Sequence, residues 1–254
     1  MTSAVLAVEG LVKRFHGVEA VRGVSLEVAA GEAVALIGPN GAGKTTCFNL
    51  IGGQLKPDAG RIRLDAEDVT GTAPRLLWQR GVARTFQITA AFTSMTVREN
   101  VQIALNAKAQ RIWHVAGRMS ARFREEADEI LSRVGMREQA ERPCAILAYG
   151  DLKRIELAIA LAGKPRLLLM DEPTAGMAPG ERIQLMALAA NLAKREGIAV
   201  LFTEHDMDVV FAHADRIIVL DRGAILAEGK PEAIRADPAV RAVYLGAGLA
   251  SGGH

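Results

Sequence analysis

The chain has 254 residues, half of them apolar or aromatic, with 31 Lys plus Arg against 29 Asp plus Glu. That length predicts one large domain or a core carrying a smaller insertion, and that composition excludes a disordered or collagen-like chain. A net charge of +2 is far from the excess that binds nucleic acid by bulk electrostatics, and no nucleic-acid partner is expected.

Along the chain, short alternating runs come first: Leu6 with Val8, Leu26 with Val28, Ile62 with Leu64, bounded by Gly31 and by Pro57, Asp58 and Gly60. They predict antiparallel strands. Ala33 to Ile37 interrupts them as an unbroken apolar run ending at Gly38, the pattern of a strand buried on both faces. From Val97 to Ala162 alternation stops. Phe123, Ala127, Ile130, Leu131 and Val134 recur at helical spacing before Gly135, and Leu152, Ile155, Ile159 and Ala162 before Gly163 and Pro165. A helical insertion of roughly 75 residues, over 88–165, is expected around this stretch. Leu167 to Met170 and Ile198 to Phe202 are further buried runs, and the helical spacing from Glu181 to Arg195 joins them into a strand, helix, strand unit. Ile217 to Leu220 and Ala224 to Ala227 flank Asp221, Arg222 and Gly223 as a hairpin, Asp237 with Pro238 caps a last short helix, and residues 247–254 form a flexible tail.

No apolar run approaches the roughly 20 residues that span a bilayer, and the start, Met1 to Leu11, has no signal-peptide pattern. Cys47 and Cys144 are far apart, with no Cys or His at metal-ligand spacing, so a reducing cytoplasm fits best. Cys47 reads as a small buried residue. Arg111, Arg118, Arg122 and Arg124 are followed at once by Glu125, Glu126, Asp128 and Glu129, which reads as a solvated helix face.

Three strand ends carry chemistry. Gly38, Pro39, Asn40, Gly41, Ala42, Gly43, Lys44 and Thr45 match G-x-x-x-x-G-K-[ST] between a buried strand and an apolar helix. Amides of the loop and of the helix start, through Thr46, would cradle phosphates, Lys44 would reach the β and γ oxygens, and the Thr45 hydroxyl would ligate Mg²⁺. The second buried strand ends in Asp171 and Glu172, placing one carboxylate for the Mg²⁺ shell and one to polarise an attacking water. At the end of the third, Glu204 and His205 would set an imidazole at the same edge, to hold that water and Glu172. His16, His114, His213 and His254 lack such a setting and read as surface.

These features together resemble the ATP-binding cassette ATPases. The resemblance makes Phe15 the aromatic that stacks on adenine, and Gln87, closing Arg84, Thr85, Phe86 and Gln87, the Mg²⁺-sensing glutamine that leads into the helical subdomain. Leu147, Ala148, Tyr149, Gly150 and Asp151 take the place of the family signature, with Ala148 where Ser is usual and Tyr149 where Gly is usual. Gly81 to Gln87 (GVARTFQ), Met95 to Val101 (MTVRENV), Asp171 to Gly176 (DEPTAG) and Glu228 to Gly246 resemble the larger ATPase subunit of branched-chain amino acid importers. Implied is a single α/β cassette: a P-loop ATPase core over 1–87 and 166–246, with an N-terminal antiparallel β subdomain, and an inserted α-helical subdomain over 88–165 that carries the signature.

That resemblance further implies ATP and Mg²⁺ as ligands and a second cassette arranged head to tail. In such a pair Lys44, Thr45, Asp171 and Glu172 of one subunit meet Ala148 and Gly150 of the other. It implies two transmembrane permease subunits, a periplasmic binding protein acting indirectly, and a place on the cytoplasmic face of the membrane. Amides, urea and aromatic acids are alternative cargoes. A soluble cassette ATPase is disfavoured because one cassette with a modest insertion fills the chain, and a non-hydrolysing cassette because Glu172 and His205 are both present. No N-K-x-D motif favours a GTPase.

Overall fold

The computed structural model describes residues 4–85, 91–109 and 123–245. Two sheets carry the fold. The first is antiparallel, built from β1 (Ala4–Phe15), β2 (Val18–Ala29), β4 (Ala59–Leu64) and the short β5 (Glu67–Asp68) in the order β2-β1-β4-β5. β1 pairs with both β2 and β4, Leu6 facing Val28 on one side and Leu64 on the other.

The second sheet runs β10-β9-β3-β8-β7-β6. Its centre is β3 (Ala33–Ile37), β8 (Ala199–Thr203) and β7 (Leu167–Asp171), with β6 (Val82–Thr85) outside β7 and the hairpin of β9 (Arg216–Asp221) and β10 (Ala224–Gly229) at the other edge. β6, β7, β8, β3 and β9 are mutually parallel, and β10 alone runs back. The unbroken apolar runs have a direct cause. Ala33, Ala35 and Ile37 enter one core and Val34 and Leu36 the other; Leu168 and Met170 are likewise separated from Leu167 and Leu169. Successive side chains of a strand point to opposite faces, so burial on both faces removes the alternation.

One core lies between the two sheets, where α1 (Lys44–Ile51) inserts Cys47, Phe48, Leu50 and Ile51. Cys47 is 1% exposed, as expected of a small buried residue. The other core joins the parallel sheet to a helical layer of α3 (Val97–Lys108), α4 (Arg124–Arg133), α5 (Tyr149–Ala162), α6 (Pro179–Glu196) and α7 (Met207–His213). α3 starts on a capping box: Thr96 Oγ1 accepts from the Glu99 amide, and the Glu99 carboxylate accepts from the Thr96 amide. α2 (Pro74–Gln79), α8 (Pro231–Ala236) and α9 (Pro238–Leu245) complete the fold, α9 capped by Asp237 as its sequence implied.

Several short elements exceed the sequence-level expectation: α2, β6, α7 and α8 carry no clear pattern of their own. α5 begins at Tyr149 with Ala148 as N-cap, ahead of Leu152, the first residue of its apolar spacing. His213, expected at the surface, is half-buried. Its Nε2 is enclosed with no hydrogen-bond partner among the described residues, and burial pushes its pKa down. Arg111, Arg118 and Arg122, His114 and His254, and the tail lie outside the described residues. Among the described residues no helix is long and apolar enough to cross a membrane.

Candidate functional site

Because β3, β8, β7 and β6 are parallel neighbours, the loops that follow them meet at one edge of the sheet. The loop after β3 is fixed by its glycines. Gly38 (φ 154°) leaves no room for a side chain: a Cβ there would lie 2.2 Å from the Leu220 carbonyl oxygen. Gly43 (φ 101°) is the N-cap of α1, and a Cβ on it would lie 2.4 Å from the Ala20 carbonyl oxygen. Only glycine permits both the backbone angle at Gly43 and these approaches.

In α1 the first intrahelical bond runs from the Cys47 amide to the Gly43 carbonyl at 2.9 Å. The amides of Lys44, Thr45 and Thr46 are therefore the orphan donors of a helix N-terminus, with the positive end of the helix dipole behind them. No acidic residue occupies that first turn and no side chain caps it. The Lys44 ammonium donates to the carbonyls of Gly38 at 2.7 Å and Pro39 at 3.0 Å. Burial lowers its pKa, while the nearby charges of Glu172 and Asp171 act in the opposite direction. Asn40, Gly41 and Thr45 are exposed. This cradle fits a chain of phosphates: free amides at a helix N-terminus, a seated ammonium and an exposed hydroxyl belong to one short loop and the turn that follows it.

At the end of β7, Asp171 Oδ1 accepts from the Thr203 hydroxyl at 2.8 Å, and Asp171 Oδ2 pairs with Arg84 at 2.9 Å. Glu172 follows at φ 48°, an unusual angle for a side-chain-bearing residue, held by its amide donating to Thr203 Oγ1 at 3.0 Å. His205 Nε2 lies 2.8 Å from Glu172 Oε1, with the imidazole 54% and the carboxyl 25% exposed. The structure thus brings together the imidazole and the carboxylate that the sequence placed on two different strand ends. An oxygen-only set of Thr45 and Asp171 suits a hard cation such as Mg²⁺.

Three residues have roles at this edge that sequence alone did not assign, although Glu204 was already placed at the strand end. Thr203 joins Asp171 to the Glu172 amide. Glu204, 5% exposed, accepts from the Thr174 amide at 2.9 Å and hydroxyl at 2.6 Å, and so fixes the loop that follows Glu172. Arg84 is the third; its place inside the quoted GVARTFQ segment was the available signal. Phe15 closes β1 at 39% exposure, with Lys13 Nζ 5.6 Å from its ring centroid. Gln87 lies outside the described residues.

The segment Leu147 to Asp151 belongs to the helical layer. Ala148 is exposed and has no side chain to cap α5. Tyr149 Oη donates to the Ala175 carbonyl at 3.2 Å, tying the helix start to the loop after Glu172. Gly150 is buried against Glu181, whose carboxylate oxygen would lie 3.0 Å from an added Cβ. A separate cavity of about 420 Å³ opens between α2, β6, α3 and α5, walled by Leu77, Trp78, Phe92, Ile103 and Ile159, and also lined by Arg84.

A family profile described as "ABC transporter" matches residues 21–175. The chain belongs to the ATP-binding cassette family of ABC transporters. A second profile, "Branched-chain amino acid ATP-binding cassette transporter", matches residues 224–250, which span β10, α8 and α9. The chain is 42% identical over 253 residues to the high-affinity branched-chain amino acid transport ATP-binding protein BraF of Pseudomonas aeruginosa, covering 97% of this chain and 99% of that protein. To LivG of Escherichia coli, which bears the same description, it is 40% identical with the same coverage. Among solved structures it is similar to the ADP conformation of MJ1267, an ATP-binding cassette of an ABC transporter, with a TM-score of 0.86 and 34% identity over 96% of this chain and 100% of that one. The cassette is an ATPase, and nucleotide binding goes with the family.

Proposed function

We propose that the chain is the ATP-hydrolysing subunit of an importer for branched-chain amino acids. The observation that carries this reading is the meeting, at one sheet edge, of the Gly38 to Thr46 cradle, the Asp171 and Glu172 pair, and His205 in contact with Glu172. Near-full-length likeness to proteins described as branched-chain amino acid transport ATP-binding proteins supplies the cargo class.

Each residue has a distinct task. Lys44 and the amides of Gly41, Gly43, Lys44, Thr45 and Thr46 bind and orient the phosphates, and Asn40 flanks them at the mouth. Phe15 offers an apolar ring to the base. Glu172 accepts the proton of the attacking water, and His205 holds Glu172 in the orientation that accepts it. Thr45 and Asp171 would hold Mg²⁺, with Gln87 as the glutamine that senses it; when bound, the ion supplies positive charge against the charge that develops on the transferring phosphoryl group. Ala148 and Gly150 complete the site of a second cassette arranged head to tail, whether an identical or a different chain.

The working pair sits on the cytoplasmic face of the membrane, bound to two permease subunits and served indirectly by a periplasmic binding protein. Residues 1–87 and 166–246 act as the nucleotide-binding core and 88–165 as the helical subdomain. The test is uptake of labelled leucine, isoleucine or valine in cells that carry the chain, its permeases and its binding protein. Transport that depends on Glu172 supports the reading; transport of amides or urea instead of these amino acids reassigns the cargo.

A further inference from the structure

Asp171 already holds a cation. Arg84 Nη2 lies 2.9 Å from its Oδ2, with the two side chains only 14% and 12% exposed. The guanidinium is fixed from its other side too: Nη1 donates to Asn49 Oδ1 at 2.9 Å, and the group lies 6.0 Å from the centroid of the Phe48 ring.

Arg84 is not what aims the carboxylate. Asp171 Oδ1 accepts from Thr203 at 2.8 Å, and Asp171 and Thr203 are register partners of the β7 and β8 ladder, so strand pairing and one hydroxyl already set its direction. What Arg84 adds is charge. A guanidinium at hydrogen-bond distance offsets most of the field that the carboxylate exerts on a second cation and repels that cation directly. Lys44 stands on the same side, within the electrostatic reach of Asp171.

We propose that Arg84 is a resident countercation of Asp171 that weakens the site's hold on Mg²⁺, so that the ion enters with the nucleotide phosphates and leaves with the product. The empty site then has little affinity for the free ion, and the spent nucleotide is not retained by its metal. This rests on the nucleotide site proposed above.

The experiment uses the purified full chain and a fluorescent ADP analogue, its affinity measured in EDTA and across a Mg²⁺ titration. Arg84→Met and Arg84→Gln both remove the charge, and Gln keeps a donor for Asn49 or Asp171; whichever variant keeps the original far-ultraviolet spectrum is decisive. The ratio of affinity with Mg²⁺ to affinity in EDTA is expected to rise by about three- to tenfold, with slower release of the analogue in Mg²⁺. Arg84→Lys, which keeps a cation, is expected to stay within about twofold of the original ratio. A neutral variant whose ratio is unchanged or lower overturns the proposal. If the unaltered chain fails to bind the analogue at any Mg²⁺ concentration, the nucleotide-site reading fails first, so the two failures are distinguishable.

Discussion

His205 and Glu172 meet at 2.8 Å although 33 positions separate them in the chain. Glu172→Gln keeps the shape of the side chain but removes the base, so nucleotide affinity is expected to persist while turnover falls by about 10²- to 10⁴-fold. His205→Ala leaves the base in place without its holder; kcat is expected to fall by less than in Glu172→Gln, with KM for ATP little changed. Steady-state kinetics and a nucleotide titration check both, and near-original turnover in Glu172→Gln removes Glu172 from its role. Lys44→Ala deletes the ammonium seated in the cradle and is expected to abolish nucleotide binding itself, as equilibrium titration will show. Cys47 makes a simpler case: burial pushes its thiol up to about 12. Only the thiolate reacts, so Cys47 is expected to resist thiol reagents at pH 8 and to react once the chain is unfolded in denaturant.

The residues legible in the sequence were those whose chemistry is local. Gly38 to Thr46 is one contiguous loop, and Asp171 with Glu172 is a doublet ending an apolar run. The roles of Thr203, Glu204 and Arg84 were not legible, even though Glu204 itself stood at a strand end, because what they do depends on partners that only the sheet order brings near: Arg84 reaches Asp171 across 87 positions and Glu204 reaches Thr174 across 30.

At the scale of elements the same contrast holds. β3, β7 and β8 stood out because burial on both faces leaves an unbroken apolar run. β6 is four residues long and α2 only six, too short for a period to declare itself. The start of α5 carries no mark in the sequence because its N-cap, Ala148, has no polar side-chain atom. That gap is also an opportunity. Ser is a good N-cap and Ala a poor one, so Ala148→Ser is expected to stabilise the chain by about 1 kcal/mol. Denaturant unfolding at constant m-value measures it, and ATPase activity is expected to be retained, since a hydroxyl that caps the helix can also donate outward. An unchanged midpoint would show that α5 gains nothing from a cap at this end.

For the whole molecule the decisive question is whether the start of α5 completes the site of a second cassette. Gly150→Asp would be an ambiguous probe. An added Cβ at Gly150 already meets the Glu181 carboxylate of the same chain at 3.0 Å, so lost activity could arise from a clash and like-charge repulsion within one subunit. Ala148→Asp separates the two causes. Asp is as good an N-cap as Ser, and Ala148 is exposed, so the substituted chain is expected to fold at least as stably as the original. In a head-to-tail pair, however, the new carboxylate faces the partner's phosphates, where like charges repel in a partly desolvated interface. Nucleotide binding by the single chain is expected to be unchanged, while the ATP-dependent dimer, trapped in the Glu172→Gln background and seen by size-exclusion chromatography, is lost. ATPase activity falls with it. Should Ala148→Asp, stably folded, still form that dimer and hydrolyse ATP at the original rate, the Leu147 to Asp151 segment does not complete a partner's site, and the two-cassette mechanism fails.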